Sequence, residues 1–209
     1  MSQATNDDDD FVINQVDESS VVKGLKGDDK ITGTDGNDLI SGNQGNDSLV
    51  GLEGNDWLRG GKGDDALIGG MGDDYLIGDH GTDILTGDGT YDGTDDGTDI
   101  LTGDRGADSF ILQSNTAAEE IEQADIITDF NVGDNDRIIV IAEFTSSEGL
   151  GYELYELIEL IDNDDNTVDT VIKLLDNSFI LGVVEGTSKE NVENNILVVN
   201  SDDYALRLG

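Results

Sequence analysis

Cysteine and proline are absent from the 209 residues, and histidine occurs once, at His80. Without cysteine, and with a single histidine, the nitrogen and sulfur clusters that hold zinc, copper or iron cannot be assembled. Lack of cysteine fits an exported protein that uses metal in place of disulfides as its staple, and equally a cytosolic one. Nothing in the sequence accounts for the missing proline in a chain so rich in turns. Cations are scarce too: 10 Lys and Arg stand against 48 Asp and Glu, for a net charge of −38 and a pI near 4.1. That balance excludes a nucleic-acid footprint, which is basic, and anionic membrane surfaces would repel it. No apolar run approaches the roughly 18 residues a membrane span requires, so no membrane insertion is expected.

Catalysis finds no footing. The sequence has no H-E-x-x-H and no G-x-S-x-G, and one histidine leaves an activated nucleophile without an evident base. Carboxylates are so numerous that no single pair singles out glycosidase chemistry. The chain is expected not to be an enzyme.

What the sequence does have is a repeat. Over residues 24–111 the pattern G-x-x-G-x-D-x-U-x, with U a large apolar residue, recurs every nine residues: GLKGDDKIT, GTDGNDLIS, GNQGNDSLV, GLEGNDWLR, GGKGDDALI, GGMGDDYLI and GDHGTDILT without a gap, then TDDGTDILT and GDRGADSFI after an insertion at residues 87–93. A fixed short period marks a solenoid.

The apolar positions are Ile31, Ile40, Leu49, Leu58, Leu67, Leu76, Leu85, Leu101 and Phe110. A three-residue strand x-U-x needs only its middle side chain to face inward. The remaining six residues must turn, and Gly at the first and fourth positions admits backbone conformations a Cβ forbids. Two units then make one coil with a strand on each side, and coils stack at about 4.8 Å. One apolar side chain per nine Gly-rich residues is too little to hold such a roll together against backbone entropy. Electrostatics oppose it further, because position six is Asp in every copy: Asp29, Asp38, Asp47, Asp56, Asp65, Asp74, Asp83, Asp99 and Asp108. Stacking places these carboxylates in two columns about 5 Å apart, repelling by about 1 kcal/mol per neighbouring pair even in water. A divalent cation is needed between them. The turns offer only carboxylate and carbonyl oxygen in flexible geometry, which suits Ca²⁺ better than Mg²⁺.

These repeats resemble the repeats-in-toxin (RTX), or haemolysin-type, calcium-binding nonapeptides. The resemblance implies an all-β fold, a parallel β-roll in which each ion lies between the turns of units n and n+2. One turn would give the carbonyls of positions two and four with its Asp, the other those of positions one and three with its Asp. Carried onto this chain, the metal set is the nine Asp above with the position-four residues Gly27, Gly36, Gly45, Gly54, Gly63, Gly72 and Gly81 and the position-one residues Gly33, Gly42, Gly51, Gly60, Gly69 and Gly78. Asp29 pairs with Asp47, Asp38 with Asp56, Asp47 with Asp65, Asp56 with Asp74 and Asp65 with Asp83, for about five ions or more. Asp74 with Asp99 and Asp83 with Asp108 span the insertion, where Thr94 replaces the first Gly. At position two only Gly61 and Gly70 match the family; if that position serves through its carbonyl, its side chain matters little. Some RTX-type rolls bind ice through Thr and Asn rows, but position three here carries no Thr row.

The flanks divide into an acidic lead-in, residues 1–23, and a β-rich region, residues 112–209. The lead-in has neither a basic n-region nor an apolar h-region, so no Sec-type signal is expected. Its run Asp7, Asp8, Asp9, Asp10 reads as a solvated, disordered tail, and residues 11–22 as a source of a first capping strand. His80, Trp57 and Tyr75 are expected on the outer surface. The segment ADIITDFNVGDNDRIIVI, residues 124–141, resembles the sequence that follows the repeats in serralysin-type and other RTX C-terminal regions. It implies a β-sandwich-like cap, with Asp108, Asp125, Asp129 or Asp136 contributing a last ion. Residues 113–123 read as a loop. Residues 154–161 fit a helix face or a strand, with the neighbouring strands favouring the strand. Residues 167–175 and 178–185 read as a hairpin, 188–195 as a short helix with Ser188 as N-cap, and 196–199 as a final strand. The loop at 162–169 has an EF-hand-like start, but Thr167 stands where the turn Gly belongs and Lys173 where the bidentate Glu belongs.

The leading expectation is a secreted protein whose folding is its calcium response. It would be unfolded by charge repulsion at cytosolic calcium and folded where calcium is on the order of 10⁻⁴ to 10⁻³ M. The repeats carry 20 acidic against 5 basic residues, and five ions would cancel ten of those charges. The alternatives are a secretion or folding tail of a larger exported protein, or a surface or matrix protein in adhesion or mineral binding. The resemblance also implies export by a type I secretion system reading an uncleaved C-terminal signal, for which the tail NNILVVNSDDYALRLG has a suitable apolar and acidic mixture.

Overall fold

The structure is a computed structural model that describes residues 7–12, 21–88, 97–113, 124–142, 155–161, 168–174 and 180–200. Its repeat strands follow one another at the sequence period: β1 (Asp10–Val12), β2 (Val21–Lys23), β3 (Lys30–Thr32), β4 (Leu39–Gln44), β5 (Ser48–Glu53), β6 (Trp57–Lys62), β7 (Ala66–Met71), β8 (Tyr75–His80), β9 (Ile84–Asp88), β10 (Ile100–Arg105) and β11 (Ser109–Gln113). Odd strands pair in parallel with odd strands and even with even, giving two facing sheets joined at both edges by the Gly-rich turns. Residue 30 sits beside 48 and residue 57 beside 75, a step of one two-unit coil. This is the parallel β-roll.

The register explains the core. Each strand turns its single U residue inward, and Ile31, Ile40, Leu49, Leu58, Leu67, Leu76, Leu85, Leu101 and Phe110 form one continuous buried cluster. Flanking residues face out: Trp57 is 47% exposed, and its ring lies 4.5 Å from that of Tyr75 on the next coil. Most repeat strands are six residues long rather than three, because pairing resumes at positions two and three, as in Asn43 with Gly61 and Gln44 with Lys62. Ladder hydrogen bonds therefore cover half of each turn.

Across the insertion the coil is kept. Tyr75 pairs with Ile100, so β8 and β10 keep the register of neighbouring coils.

The C-terminal region continues both sheets. β12 (Asp125–Ile127) and β13 (Arg137–Ala142) add to β10 and β11 in parallel. β14 (Tyr155–Ile161), β15 (Val168–Leu174) and β16 (Ile180–Val184) form an antiparallel set joined to β12 through β16. After the short helix α1 (Lys189–Glu193), β17 (Ile196–Asn200) pairs with β13. The sandwich-like cap is thus the roll's own two layers carried onward, sealed by Leu112, Ile127, Phe130, Ile138, Val140, Ile172, Leu181, Val184 and Val192 in the same core cluster.

Residues 155–161 form a strand, and 168–174 with 180–184 the antiparallel pair expected there. Ser188 occupies the N-cap of α1, but its side chain makes no capping hydrogen bond. The acidic run at the start is more ordered than a solvated tail, because Asp10–Val12 pairs with β3. Residues 162–167 of the EF-hand-like loop, most of the 113–123 segment and residues 201–209 of the tail lie outside the described residues. No helix is long and apolar enough to cross a membrane.

Candidate metal centre

Position-six carboxylates stack into two columns. On one edge of the roll lie Asp29, Asp47, Asp65, Asp83 and Asp108, on the other Asp38, Asp56, Asp74 and Asp99, all buried. Within each column the backbone N–H of one Asp donates to Oδ1 of the Asp one coil on. Asp29 donates to Asp47, Asp38 to Asp56, Asp47 to Asp65, Asp56 to Asp74 and Asp65 to Asp83, at 2.7 to 2.8 Å. The same bond crosses the insertion, from Asp74 to Asp99 at 2.9 Å and from Asp83 to Asp108 at 2.8 Å. All seven pairings expected from the repeat are therefore adjacent in space.

These bonds satisfy one carboxylate oxygen and leave the other. The Oδ2 atoms of Asp29, Asp47, Asp56, Asp65, Asp83, Asp99 and Asp108 are buried and accept no hydrogen bond among the described residues. Leaving a buried carboxylate oxygen without a partner is costly. The affinity of these groups for protons shows the same cost. Burial pushes Asp47, Asp56 and Asp108 up to about 6 and Asp65 and Asp83 up to about 7, with backbone N–H donation lowering them and neighbouring Asp raising them. Asp29 is raised by burial as well. Asp99 is raised by burial and then by the neighbouring Asp125 carboxylate.

Glycine at position one is required by this arrangement. A Cβ on Gly42, Gly51, Gly60, Gly69 or Gly78 would fall on Oδ2 of the same unit's Asp. At Gly24, Gly33, Gly51 and Gly69 the position-one carbonyl of the next coil, from Gly42, Gly51, Gly69 and Gly87 in turn, closes on the same point. A carboxylate oxygen and a carbonyl oxygen from successive coils thus lie close to the same bare glycine, with no side chain between them. Oxygens of these two kinds are the ligands that Ca²⁺ takes.

Position four has a different need. Gly27, Gly45, Gly54, Gly63, Gly72 and Gly81 all have φ between 104° and 148°. Added Cβ atoms at Gly45, Gly63, Gly72 and Gly81 would strike the position-four carbonyl of the preceding coil. Gly36 departs from this set, since its φ is not positive. In its turn Thr34 folds inward and donates both its N–H, at 2.6 Å, and its hydroxyl, at 3.0 Å, to Oδ2 of Asp38.

Three further features were not legible as site residues. Position two does carry a conformational demand: Leu25, Asn43, Leu52, Asp79 and Asp104 hold φ between 67° and 94°, so the family's Gly there reflects backbone geometry and not only a free carbonyl. Asp79 also forms an ion pair with Arg59. Position five forms an outer ladder parallel to the Asp columns, in which Asn46 N–H donates to Asp28, Asp64 to Asn46, Thr82 to Asp64 and Asn55 to Asn37. The prevalence of Asp, Asn and Thr at that position was its signal. Finally, the lead-in joins both ladders, with Asp9 N–H on Asp29 Oδ1 and Asp28 N–H on Asp8 Oδ1.

At the insertion the structure corrects the unit boundary. Gly87, not Thr94, takes the position-one role for Asp99, since a Cβ on Gly87 would meet Asp99 Oδ2, and Asp88 pairs with Gly70 at position two. In the cap, Asp99 N–H donates to Asp125 Oδ1 and Asp108 N–H to Asp136 Oδ1, extending both columns. Asp136 and Asp129 have both oxygens occupied by backbone donors: Asn131 is the second donor to Asp136, and Gly103 and Asp104 donate to Asp129. His80 is exposed at position three.

A parallel β-roll with stacked Gly-Asp turns defines the class. The RTX calcium-binding nonapeptide repeat (4 copies) matches residues 19–49, 41–76, 50–85, 60–92 and 94–111, the repeat units that build the roll. No curated protein matches the sequence. Among solved structures, the AlgE6R3 subunit of the Azotobacter vinelandii mannuronan C5-epimerase is 22% identical with a TM-score of 0.26, the alignment covering 93% of this chain and 80% of that one. Extracellular lipase LipA from Serratia marcescens is 18% identical with a TM-score of 0.33; the alignment covers 86% of this chain but 42% of the lipase.

Proposed function

We propose that this chain is a secreted protein that folds on binding several calcium ions between successive turns of its roll. The observation that carries the reading is that the buried Oδ2 atoms of Asp29, Asp47, Asp56, Asp65, Asp83, Asp99 and Asp108 each face a bare Gly backbone and accept no hydrogen bond among the described residues. Calcium would supply positive charge at those oxygens. The residues to hold it are the stacked pairs Asp29 with Asp47, Asp38 with Asp56, Asp47 with Asp65, Asp56 with Asp74, Asp65 with Asp83, Asp74 with Asp99 and Asp83 with Asp108, together with the carbonyls of their position-one and position-four glycines.

The chain's own residues perform the rest of the switch. Oδ1 of Asp47, Asp56, Asp65, Asp74, Asp83, Asp99 and Asp108 is fixed by the N–H of the preceding coil, which turns Oδ2 toward the glycine of its own turn. Position-five side chains hold the outer rim of the turn. Without cations, a net charge of −38 and desolvated carboxylates oppose folding; with them, each bound ion is folding free energy. Low calcium inside a cell and high calcium outside would then couple folding to export, for which a type I system is the proposed route.

Far-UV circular dichroism of the purified chain, titrated with calcium and in parallel with magnesium, tests the switch. A cooperative coil-to-β transition specific to calcium is expected. A chain fully folded in chelator and indifferent to calcium would refute it.

A further inference from the structure

We propose that Asp88, Asp99 and Asp125 form a three-carboxylate calcium site, chemically unlike the repeat-turn sites, that ties the interrupted turn to the C-terminal cap. It rests on the calcium-binding reading above. Ligand oxygens of the three side chains lie within 4.8 Å of one another, and all three residues are buried. They come from separate places in the fold: Asp88 from the end of β9, Asp99 from the turn before β10, and Asp125 from the first cap strand β12.

A second observation points to a cation. Asp99 is 0% exposed, its Oδ1 is taken by the N–H of Asp74, and its Oδ2 accepts no hydrogen bond among the described residues. That oxygen is aimed at Gly87, the residue before Asp88. A buried carboxylate oxygen without a donor, set among two more buried carboxylates, calls for a divalent ion.

The local sequence explains why a third carboxylate is present here. At the repeat sites both flanking turns are G-x-x-G-x-D, so each supplies carbonyl oxygens beside its Asp. Asp125 is preceded by EEIEQA, which has no such turn. At position two on this edge the earlier coils carry Thr34, Leu52 and Gly70, none of them a carboxylate, and Asp88 is in register with Gly70. Its carboxylate brings to the site an oxygen that a repeat turn would have brought as a carbonyl.

Counting bound calcium per chain, by equilibrium dialysis with radiolabelled calcium ion as the probe, tests the assignment on the full chain. Asp88→Gly restores the residue of the coil beneath, and Asp88→Asn keeps the shape while removing the charge. Both variants should show the wild-type circular dichroism spectrum in calcium and bind one ion fewer. Either variant binding the full number with unchanged affinity overturns this site while leaving the repeat sites intact. A wild-type chain that binds no calcium overturns both readings.

Discussion

The backbone N–H of Asp74 donates to the carboxylate of Asp99 at 2.9 Å, though 25 residues separate them where 18 separate every such pair within the uninterrupted repeats. The two ends of this turn are therefore placed as they are in an uninterrupted repeat. Removing residues 89–95 leaves Gly87-Asp88-Asp96-Gly97-Thr98-Asp99, a regular repeat turn. This deletion should preserve the calcium-loaded fold and shift stability by no more than about 1 kcal/mol, the scale of loop-closure entropy for loops of this size. Thermal unfolding in saturating calcium measures it, and loss of the cooperative transition would show that the insertion is structural.

Two position-four glycines that look identical in sequence should behave differently. Gly45 has φ of 127° and no room for a Cβ beside the carbonyl of Gly27, whereas at Gly36 φ is not positive and the nearest atom to an added Cβ is 3.8 Å away. Gly45→Ala should cost at least about 2 kcal/mol from left-handed strain and collision. Gly36→Ala should be within about 0.5 kcal/mol of wild type. Denaturant unfolding in calcium, comparing the two midpoints, decides.

Adjacent residues of one strand divide in the same way. Leu58 is 0% exposed in the single-file core and Trp57 is 47% exposed outside it. Leu58→Ala should destabilise by about 2–5 kcal/mol, because coils stacked on both sides cannot collapse into the void. Trp57→Ala should cost about 1 kcal/mol, the worth of its ring contact with Tyr75. Equal losses in chemical denaturation would contradict this division.

Acid should substitute partly for calcium. In the folded, metal-free roll Asp47, Asp56 and Asp108 titrate near 6 and Asp65 and Asp83 near 7, against about 3.9 for an unfolded Asp. Between these values the folded state binds more protons than the unfolded state, so its stability falls as pH rises from about 4 to about 7. In chelator, β-structure measured by circular dichroism should therefore increase on acidification from about pH 8 to about pH 4. With calcium present the dependence should invert, because protons compete for the same oxygens. A chelated chain with no response over that range would show that its carboxylates are not desolvated.

Sequence alone determined the roll, its inward residues and the two Asp columns. A nine-residue period with one apolar position leaves little freedom: Ile31 through Phe110 must face inward, two units must make a coil, and identical turns must stack. What it left open is what depends on contacts between distant segments. Only the tertiary structure showed that Gly87 replaces Thr94 as the turn's first glycine, since the choice is made by packing against Asp99 and not by spacing. It also brought Asp9 and Asp125 to the ends of the columns from segments with no repeat pattern, and set Asp88 beside Asp125. Thr34 likewise fills a place that looks like any other position two, yet it takes Asp38 Oδ2 by a hydrogen bond that no periodicity encodes. Repetition fixes what every coil does in common; the exceptions are settled coil by coil, by which side chains fit the space the neighbouring turn leaves.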